Sequence, residues 1–141
     1  SEKVSRLEFL VCAMDAFGAG NIPSSSDAGF ADTDTIPEKH RGYVSAAKSL
    51  GIVSGVNEGG RMYFRGDEEI TYAQAAVILN RIIGLESDGT KSLSADVPEW
   101  AYRDVCALTE NGILDPYCNV SASVDRAGCA QIVCEAVRFF D

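Results

Sequence analysis

Short blocks of residues recur in this sequence in the same order, and this repetition constrains the fold more than any other feature. Pro37-Glu38 returns as Pro98-Glu99. Gly51-Ile52 returns, the same number of positions further along, as Gly112-Ile113. Because a repeated spacing marks a repeated structural unit, the sequence predicts one motif used more than once within the 141 residues.

A second block occurs three times and divides the chain further. Its copies are Val4-Ser5-Arg6-Leu7-Glu8, Ile70-Thr71-Tyr72-Ala73-Gln74 and Val124-Asp125-Arg126-Ala127-Gly128. We therefore predict the C-terminal half of one repeat at 1–20 and complete repeats at 30–86 and 93–141, all forming one compact domain. The front half of the first repeat would precede Ser1, and a second chain could supply it.

Each complete repeat has the pattern of a helix, a loop and a second helix. Pro37 and Pro98 suit the opening turn of the first helix, where a missing N–H group costs nothing. Gly51 and Gly112 suit the left-handed position just past its end. In the loop, the pair Gly59-Gly60 indicates a tight turn or a short hairpin. The predicted fold class is all-α, with at most very short strands in the loops.

Each copy of the second block carries the signals of a helix N-terminus. Its second residue is Ser, Thr or Asp, whose side chain can accept a hydrogen bond from the first turn. In two copies, Glu or Gln follows three residues later and completes a capping box, whereas Gly128 in the third copy cannot. The predicted helix-capping residues are Ser5, Glu8, Thr71, Gln74 and Asp125.

The charge balance argues against several kinds of partner. Acidic residues outnumber Lys and Arg by 21 to 12, which gives a net charge of -9 at pH 7. Like charge repels nucleic acid and anionic membrane surfaces at long range, so we expect neither as the main partner. No apolar stretch approaches the roughly 20 residues that a membrane span requires, so we expect no membrane insertion. A polyanionic ligand would need arginines placed locally.

The cysteines and the histidine offer no recognisable reactive site. The chain has five cysteines and one histidine, and no pair of cysteines has the close spacing of zinc ligands. We expect no metal and no cofactor. No nucleophile, base and orienting group recur at a spacing that suggests catalysis, so we predict that the chain is not an enzyme. A disulfide among the last four cysteines stays open, because nothing in the spacing selects a pairing.

The ordered motifs resemble the S-layer homology repeat. Phe30-Ala31-Asp32, Gly51-Ile52-Val53-Ser54-Gly55 and Ile70-Thr71-Tyr72-Ala73-Gln74 carry the resemblance in the first complete repeat. The last repeat adds Ala95-Asp96-Val97, Trp100-Ala101 and Val124-Asp125-Arg126-Ala127. In the N-terminal fragment, Val4-Ser5-Arg6-Leu7-Glu8-Phe9 resembles the most specific segment of the repeat, a hydrophobic residue followed by Thr-Arg-Ala-Glu.

The resemblance implies both an architecture and a role. It implies a pseudo-threefold arrangement of repeats around a central helix bundle, with grooves between the repeats. It also implies a noncatalytic module that binds an acidic secondary cell-wall polysaccharide, often bearing pyruvate ketals. Such a module tethers a secreted protein to the bacterial cell wall or S-layer, so the implied localisation is extracellular.

Arginines at helix starts are the leading candidates for glycan contact under this resemblance. A guanidinium matches the geometry of a carboxylate, and a helix N-terminus favours an anion. Trp100 offers a flat surface to a sugar ring, and aspartates offer acceptors to its hydroxyl groups. The predicted carbohydrate-binding residues are Arg126, Arg6, Trp100, Asp96, Asp32 and Tyr72, the last of which stands at the arginine position of the middle repeat.

These assignments have structural alternatives. Capping boxes account for the spacing of Glu8 and Gln74 without a ligand, and Trp100 could pack between helices instead of against a sugar. The middle repeat has Tyr72 for the arginine and the last has Gly128 for the glutamate, so fewer than three grooves should bind. If these losses are decisive, the chain is a structural or protein-interaction domain that keeps the fold without glycan affinity.

Overall fold

The computed structural model describes residues 2–18, 29–89 and 96–141. Within these ranges the chain forms five α-helices, α1 Arg6–Ala16, α2 Glu38–Ser49, α3 Tyr72–Ile83, α4 Glu99–Glu110 and α5 Arg126–Phe139. It also forms a 3-10 turn at Thr33–Thr35 and two strands, β1 Val56–Glu58 and β2 Arg61–Tyr63. The predicted all-α fold class with very short strands is therefore confirmed.

The chain divides into two compact units. The N-terminal unit is Ser5–Glu68, and the C-terminal unit combines Ser1–Val4 with Glu69–Asp141. Helix α1 packs against α2 in the N-terminal unit, and α3 packs against α4 in the C-terminal unit. In each unit, the helix that ends one predicted repeat thus packs against the helix that begins the next. The repeat boundaries and the pseudo-threefold arrangement stay predictions, and the boundaries at 20 and 93 lie outside the described residues.

Glycine ends both α2 and α4 in the same way. Gly51 has φ 77 and Gly112 has φ 74, a left-handed conformation that glycine adopts without steric cost. The residue after each glycine, Ile52 or Ile113, donates its N–H to a carbonyl of the preceding turn, at 2.8 Å and 2.9 Å respectively. These are Schellman caps, which satisfy carbonyl groups left unpaired at a helix C-terminus. Both isoleucine side chains are buried.

Proline stands at the other end of the same two helices. Pro37 and Pro98 are the N-cap residues of α2 and α4, one position before the first helical residue, and neither provides a side-chain cap. Their φ angles of -53 and -57 are those that the pyrrolidine ring imposes. The chain therefore enters each helix from an extended conformation at the proline.

The helices beginning at the second sequence block are capped by side chains. The Ser5 hydroxyl accepts a hydrogen bond from the Glu8 N–H, and the Glu8 carboxylate accepts one from the Ser5 N–H. Thr71 and Gln74 form the same reciprocal box at the start of α3. At α5 the Asp125 carboxylate accepts from the Gly128 N–H at 2.7 Å. Each cap satisfies amide groups that have no partner within the helix.

Three residues that precede these N-caps form a closed ring of backbone hydrogen bonds in the C-terminal unit. The Val4 N–H donates to the Val124 carbonyl at 2.8 Å, and the Val124 N–H donates to the Ile70 carbonyl at 2.8 Å. The Ile70 N–H donates to the Val4 carbonyl at 3.0 Å, which closes the ring. All three side chains are buried. Val4, Ile70 and Val124, the first residues of the three copies of the second block, therefore occupy cyclically equivalent positions in this ring.

Apolar side chains fill the interior of each unit. The largest fully buried side chains of the N-terminal unit are Phe9, Leu10, Met14, Val44 and Phe64. Those of the C-terminal unit are Ile70, Leu79, Val105, Cys106, Leu108, Val120 and Val124. Removal of such side chains from water is the main favourable contribution to folding. Each unit therefore has its own apolar core, and the helices that carry the surface residues described below pack on it.

Candidate functional site

Trp100 lies on the surface of the C-terminal unit, in the first turn of α4. Its side chain is 60% exposed, although tryptophan is among the residues that proteins bury most readily. The indole borders a cavity of about 710 Å³. The residues that line this cavity are Asp88, Gly89, Val97, Glu99, Trp100, Tyr102, Arg103 and Asp104. An exposed aromatic ring beside charged side chains offers an apolar surface next to hydrogen-bonding groups.

Helical spacing places three side chains of this cavity on one face of α4. Trp100 and Arg103 are three residues apart, and Asp104 is four residues from Trp100, so all three are neighbours on the helix surface. The Arg103 Nη1 donates to the Ser87 carbonyl at 3.2 Å. The Asp104 Oδ1 accepts from the Asn80 Nδ2 at 2.9 Å. The helix therefore presents an indole, a guanidinium and a carboxylate together.

Asn80 positions the segment that forms one wall of the cavity. It is one of the buried polar residues, with 6% of its surface exposed. Its Nδ2 donates to the Leu85 carbonyl at 2.9 Å, and its Oδ1 accepts from the Leu85 N–H at 3.0 Å. Ser87, two residues on, donates its hydroxyl to the Glu110 carboxylate at 2.5 Å. These bonds hold the segment after α3 against α4.

Arg103, Asp104 and Tyr102 were missed as site residues by the sequence interpretation. The signal was available, because a residue three or four positions from an exposed tryptophan in a helix shares its face. Asn80 could not have been found in this way, since its role depends on contacts with α4, which lies 24 positions away at Asp104. A tertiary contact of that kind leaves no local pattern.

Arg126 is an exposed residue at the start of α5. Its Nε donates to the Glu2 Oε2 at 3.0 Å, and the side chains of Arg126 and Glu2 are 60% and 79% exposed. Ion pairs this exposed stabilise a fold by about 0–1 kcal/mol, so an external carboxylate can displace Glu2 at little cost. Asp96, the other predicted acceptor in this unit, is exposed in the segment before Pro98.

Arg6 and Asp32 meet at Phe64 in the N-terminal unit. The Arg6 Nε donates to the Phe64 carbonyl at 3.2 Å, and its guanidinium lies 5.6 Å from the centroid of the Phe64 ring. Burial lowers the pKa of Arg6, and the nearby Glu68 carboxylate opposes that shift. The Asp32 carboxylate accepts the N–H groups of Phe64 and Arg65, both at 2.9 Å. Both side chains therefore have structural partners that explain them without a glycan.

Tyr72 and Gly128 are in direct contact in the C-terminal unit. A Cβ atom built on Gly128 would overlap the Tyr72 hydroxyl and approach its Cζ to 3.2 Å. Burial raises the pKa of Tyr72, and the charges of Cys118, Asp125 and Cys129 raise it further. The tyrosine is therefore a neutral hydroxyl near pH 7. The two departures from the repeat pattern, Tyr72 and Gly128, fit each other sterically.

The remaining features concern the cysteines, possible metal ligands and the hydropathy of the helices. None of the five cysteines, all of which lie in the described ranges, forms a disulfide, and Cys106 and Cys129 are buried. Among residues 2–18, 29–89 and 96–141, no group of three or more His, Cys, Asp or Glu side chains is arranged to hold a metal ion. In those ranges no helix has the length and hydropathy that crossing a bilayer requires.

Comparison with known families gives one match. Residues 29–76 match the family model of the S-layer homology domain. An S-layer homology domain is recognised in these residues. The matched residues run from Gly29 through α2 and the β1–β2 hairpin into the first turns of α3, and so include Asp32 and Tyr72. No curated protein matches the chain significantly.

The S-layer homology domain carries family-level information about role and place. Domains of this family are typically noncatalytic anchoring modules associated with the bacterial cell surface or S-layer, and in general they bind cell-wall polysaccharide. At the level of the family, the match indicates cell-wall anchoring and a location at the bacterial cell surface.

Proposed function

We propose that the chain is a noncatalytic anchoring module that binds an acidic secondary cell-wall polysaccharide outside the cell. Its ligand carries carboxylates, such as those of pyruvate ketals, and its partner is the cell wall or S-layer. Trp100 stacks on a sugar ring, while Arg126 holds a carboxylate of the glycan.

The observation that carries this proposal is the exposure of Trp100 in a cavity of about 710 Å³. A sugar ring has one apolar C–H face and a rim of hydroxyl groups. The indole covers the apolar face, and the Glu99 and Asp104 carboxylates can accept from hydroxyl groups while Arg103 donates to a ring or glycosidic oxygen. These groups lie within two turns of one helix, so little ordering is needed on binding.

Arg126 supports the acidic character of the ligand. Its guanidinium has five N–H donors in a planar fork, and the contact with Glu2 uses Nε. A ligand carboxylate that replaces Glu2 would make a charge-assisted pair at the N-terminus of α5, where the helix dipole also favours an anion. Asp96 is proposed as an acceptor for a hydroxyl group of the same glycan.

A second candidate function rests on Arg6 and Asp32. Both side chains are engaged with Phe64, so neither of these two predicted contacts needs a glycan to account for its position. An S-layer homology domain that keeps its fold without glycan affinity would act as a structural or protein-interaction module. A second chain that supplies a further half-repeat belongs to this candidate.

Binding to isolated cell walls tests the proposal. We expect the protein to cosediment with bacterial sacculi that retain secondary polysaccharide and to stay in solution with sacculi stripped by acid. We expect Trp100→Ala to weaken cosedimentation about tenfold, because a ring that stacks on a sugar contributes about 1.4 kcal/mol or more.

Tyr117→Ala is the matched control for this measurement. Tyr117 is an aromatic side chain that is 80% exposed and does not line the Trp100 cavity. Its removal should leave the affinity unchanged. Equal binding to native and stripped sacculi would refute the glycan proposal and favour the protein-interaction candidate.

A second prediction concerns Arg126. Arg126→Ala should weaken binding to native sacculi about tenfold, since a charge-assisted hydrogen bond contributes about 1.5–3 kcal/mol. The free energy of unfolding should change by no more than about 0.5 kcal/mol, because the ion pair with Glu2 is exposed.

Arg138→Ala provides the charge-matched control. Arg138 is 70% exposed and forms an ion pair with Glu135 at 3.1 Å, near the opposite end of α5. Arg138→Ala removes the same charge as Arg126→Ala and a similar ion pair. A purely electrostatic effect on wall binding would therefore appear in both variants. Undiminished affinity of Arg126→Ala would remove this residue from the proposed site.

A further inference from the structure

A second cavity of the C-terminal unit lies beside Tyr72 and differs in chemistry from the Trp100 cavity. Its volume is about 260 Å³. The lining residues are Tyr72, Ile113, Leu114, Asp115, Cys118, Gly128, Gln131 and Ile132. This is smaller than the roughly 300–1,000 Å³ of pockets for drug-sized ligands, so it accommodates a single small unit rather than a chain of several.

The cavity has an apolar floor and a polar rim. Ile113, Leu114 and Ile132 are 5%, 6% and 3% exposed and form the floor. The Tyr72 hydroxyl, the exposed Gln131 amide and the exposed Asp115 carboxylate belong to the rim. The Asp115 Oδ1 accepts the Tyr117 N–H at 2.8 Å. Hydrogen-bonding groups around aliphatic side chains suit a molecule with an apolar face and several hydroxyl groups.

Gly128 makes room for the tyrosine ring at this place. A side chain at this helical position would overlap the Tyr72 hydroxyl. Gly128 lies in the first turn of α5, where glycine is a poorer helix former than alanine by up to about 1 kcal/mol. The ring in the cavity explains why that cost is tolerated here.

The electrostatics of the cavity disfavour an anion. None of the described residues that line it is a Lys, Arg or His, and Asp115 contributes a negative charge. Burial raises the pKa of the Cys118 thiol, with a further contribution from Asp115, so the thiol is neutral near pH 7. A ligand carboxylate would lose its hydration here and face a like charge without a compensating cation.

We propose that this cavity binds an uncharged sugar unit and discriminates against an acidic one. The proposal rests on the proposed function, because the sugar is a unit of the same wall polysaccharide. The apolar face of the ring packs on the aliphatic floor, and its hydroxyl groups pair with Tyr72, Gln131 and Asp115. The protein thus distinguishes the units of the glycan by their charge. Acidic units bind at Arg126, and a neutral unit binds beside Tyr72.

The sharpest test compares glucose with glucuronate, which share a ring and differ by the carboxylate. The full chain is titrated with each sugar, and the amide resonances of Leu114, Cys118 and Ile132, which line the cavity, are followed by NMR. We expect glucose to shift these resonances in a saturable way and glucuronate to bind at least about tenfold more weakly, since an unpaired buried charge costs more than 1.4 kcal/mol.

Two substitutions at Tyr72 sharpen the outcome. Tyr72→Phe keeps the ring and removes the hydroxyl that lies over Gly128. It should weaken glucose binding about three- to tenfold, the value of one hydrogen bond. Tyr72→Arg introduces a cation and should reverse the preference in favour of glucuronate. Val56→Ala should leave both titrations unchanged, because Val56 is an exposed residue of β1 that does not line this cavity.

Each result decides between the two proposals. Unmoved resonances with glucose, or equal shifts with both sugars, would overturn the inference, whereas sacculus binding by the same protein would leave the proposed function standing. Failure of the wild-type protein to bind native sacculi would refute the proposed function itself, and the assignment of this cavity to a wall glycan would fall with it.

Discussion

We expect Asp32→Ala to lower the free energy of unfolding of the full chain by about 3 kcal/mol. The Asp32 carboxylate accepts two backbone N–H groups, those of Phe64 and Arg65, at 2.9 Å each. Both bonds are partly buried, and each amide left without an acceptor costs about 1–3 kcal/mol. Hydrogen exchange should show loss of protection at these two amides.

Asp34→Ala separates this effect from a change in net charge. Asp34 lies two positions away in the same loop and is exposed, so its removal should change stability by no more than about 0.5 kcal/mol. Asp32→Asn should fall between the two, since its amide keeps one oxygen acceptor for one of the two N–H groups. If Asp32→Ala lowers the free energy of unfolding no more than Asp34→Ala does, the Asp32 carboxylate does not hold the loop after β2.

This prediction also separates a structural role from a ligand role for Asp32. A pure glycan contact at a surface position would weaken wall binding and leave stability nearly unchanged. The structure instead joins Asp32 to Phe64 across 32 positions of the sequence, and Arg6 to the same residue across 58 positions. The positions of Arg6 and Asp32 therefore each have a structural explanation in this unit.

Local rules are what made the helices predictable. The Schellman caps at Gly51 and Gly112 and the N-caps at Ser5, Thr71 and Asp125 depend on residues within one turn of each other. The hairpin is similarly local, because Gly59 and Gly60 both have positive φ, 62 and 82, as a tight two-residue turn between strands requires. Such features can be inferred from a short window of sequence.

The contacts that define the candidate sites join residues far apart in the sequence, so a local sequence pattern does not reveal them. Tyr72 and Gly128 appeared as two independent losses from a repeated motif, whereas in the structure the glycine accommodates the tyrosine ring. A comparison of repeats aligns residues by position and does not place them face to face. Only the packing of the C-terminal unit reveals that the two changes form one altered cavity.

The helix pairs also differ from the units that the repetition suggests. Each predicted repeat contains two helices, yet α1 packs on α2 and α3 packs on α4 across predicted repeat boundaries. The repeat period identifies which segments are equivalent, but the buried faces decide which segments associate. Residues 2–4 illustrate this, since they belong to the C-terminal unit while α1, which follows directly, belongs to the N-terminal unit.

The largest effect of a single methyl group is expected at Gly55. Gly55 has φ 81, and a Cβ atom there would overlap the Phe30 ring and lie 3.1 Å from the Tyr63 carbonyl. A left-handed conformation costs an alanine about 1–2 kcal/mol, and overpacking a filled core costs about 1–3 kcal/mol. We therefore expect Gly55→Ala to lower the free energy of unfolding by about 3–4 kcal/mol, measured by urea denaturation.

Gly60→Ala isolates the steric part of this effect. Gly60 has φ 82, nearly the same conformation, but nothing lies within 4 Å of a Cβ atom built on it. Its substitution should cost only the backbone term of about 1–2 kcal/mol. Phe30→Leu combined with Gly55→Ala should recover part of the loss relative to the sum of the single variants, because the smaller side chain vacates the space of the ring. Equal losses of unfolding free energy for Gly55→Ala and Gly60→Ala would show that the Phe30 side chain moves aside at no cost. The close approach of Gly55 to the Phe30 ring would then not require glycine.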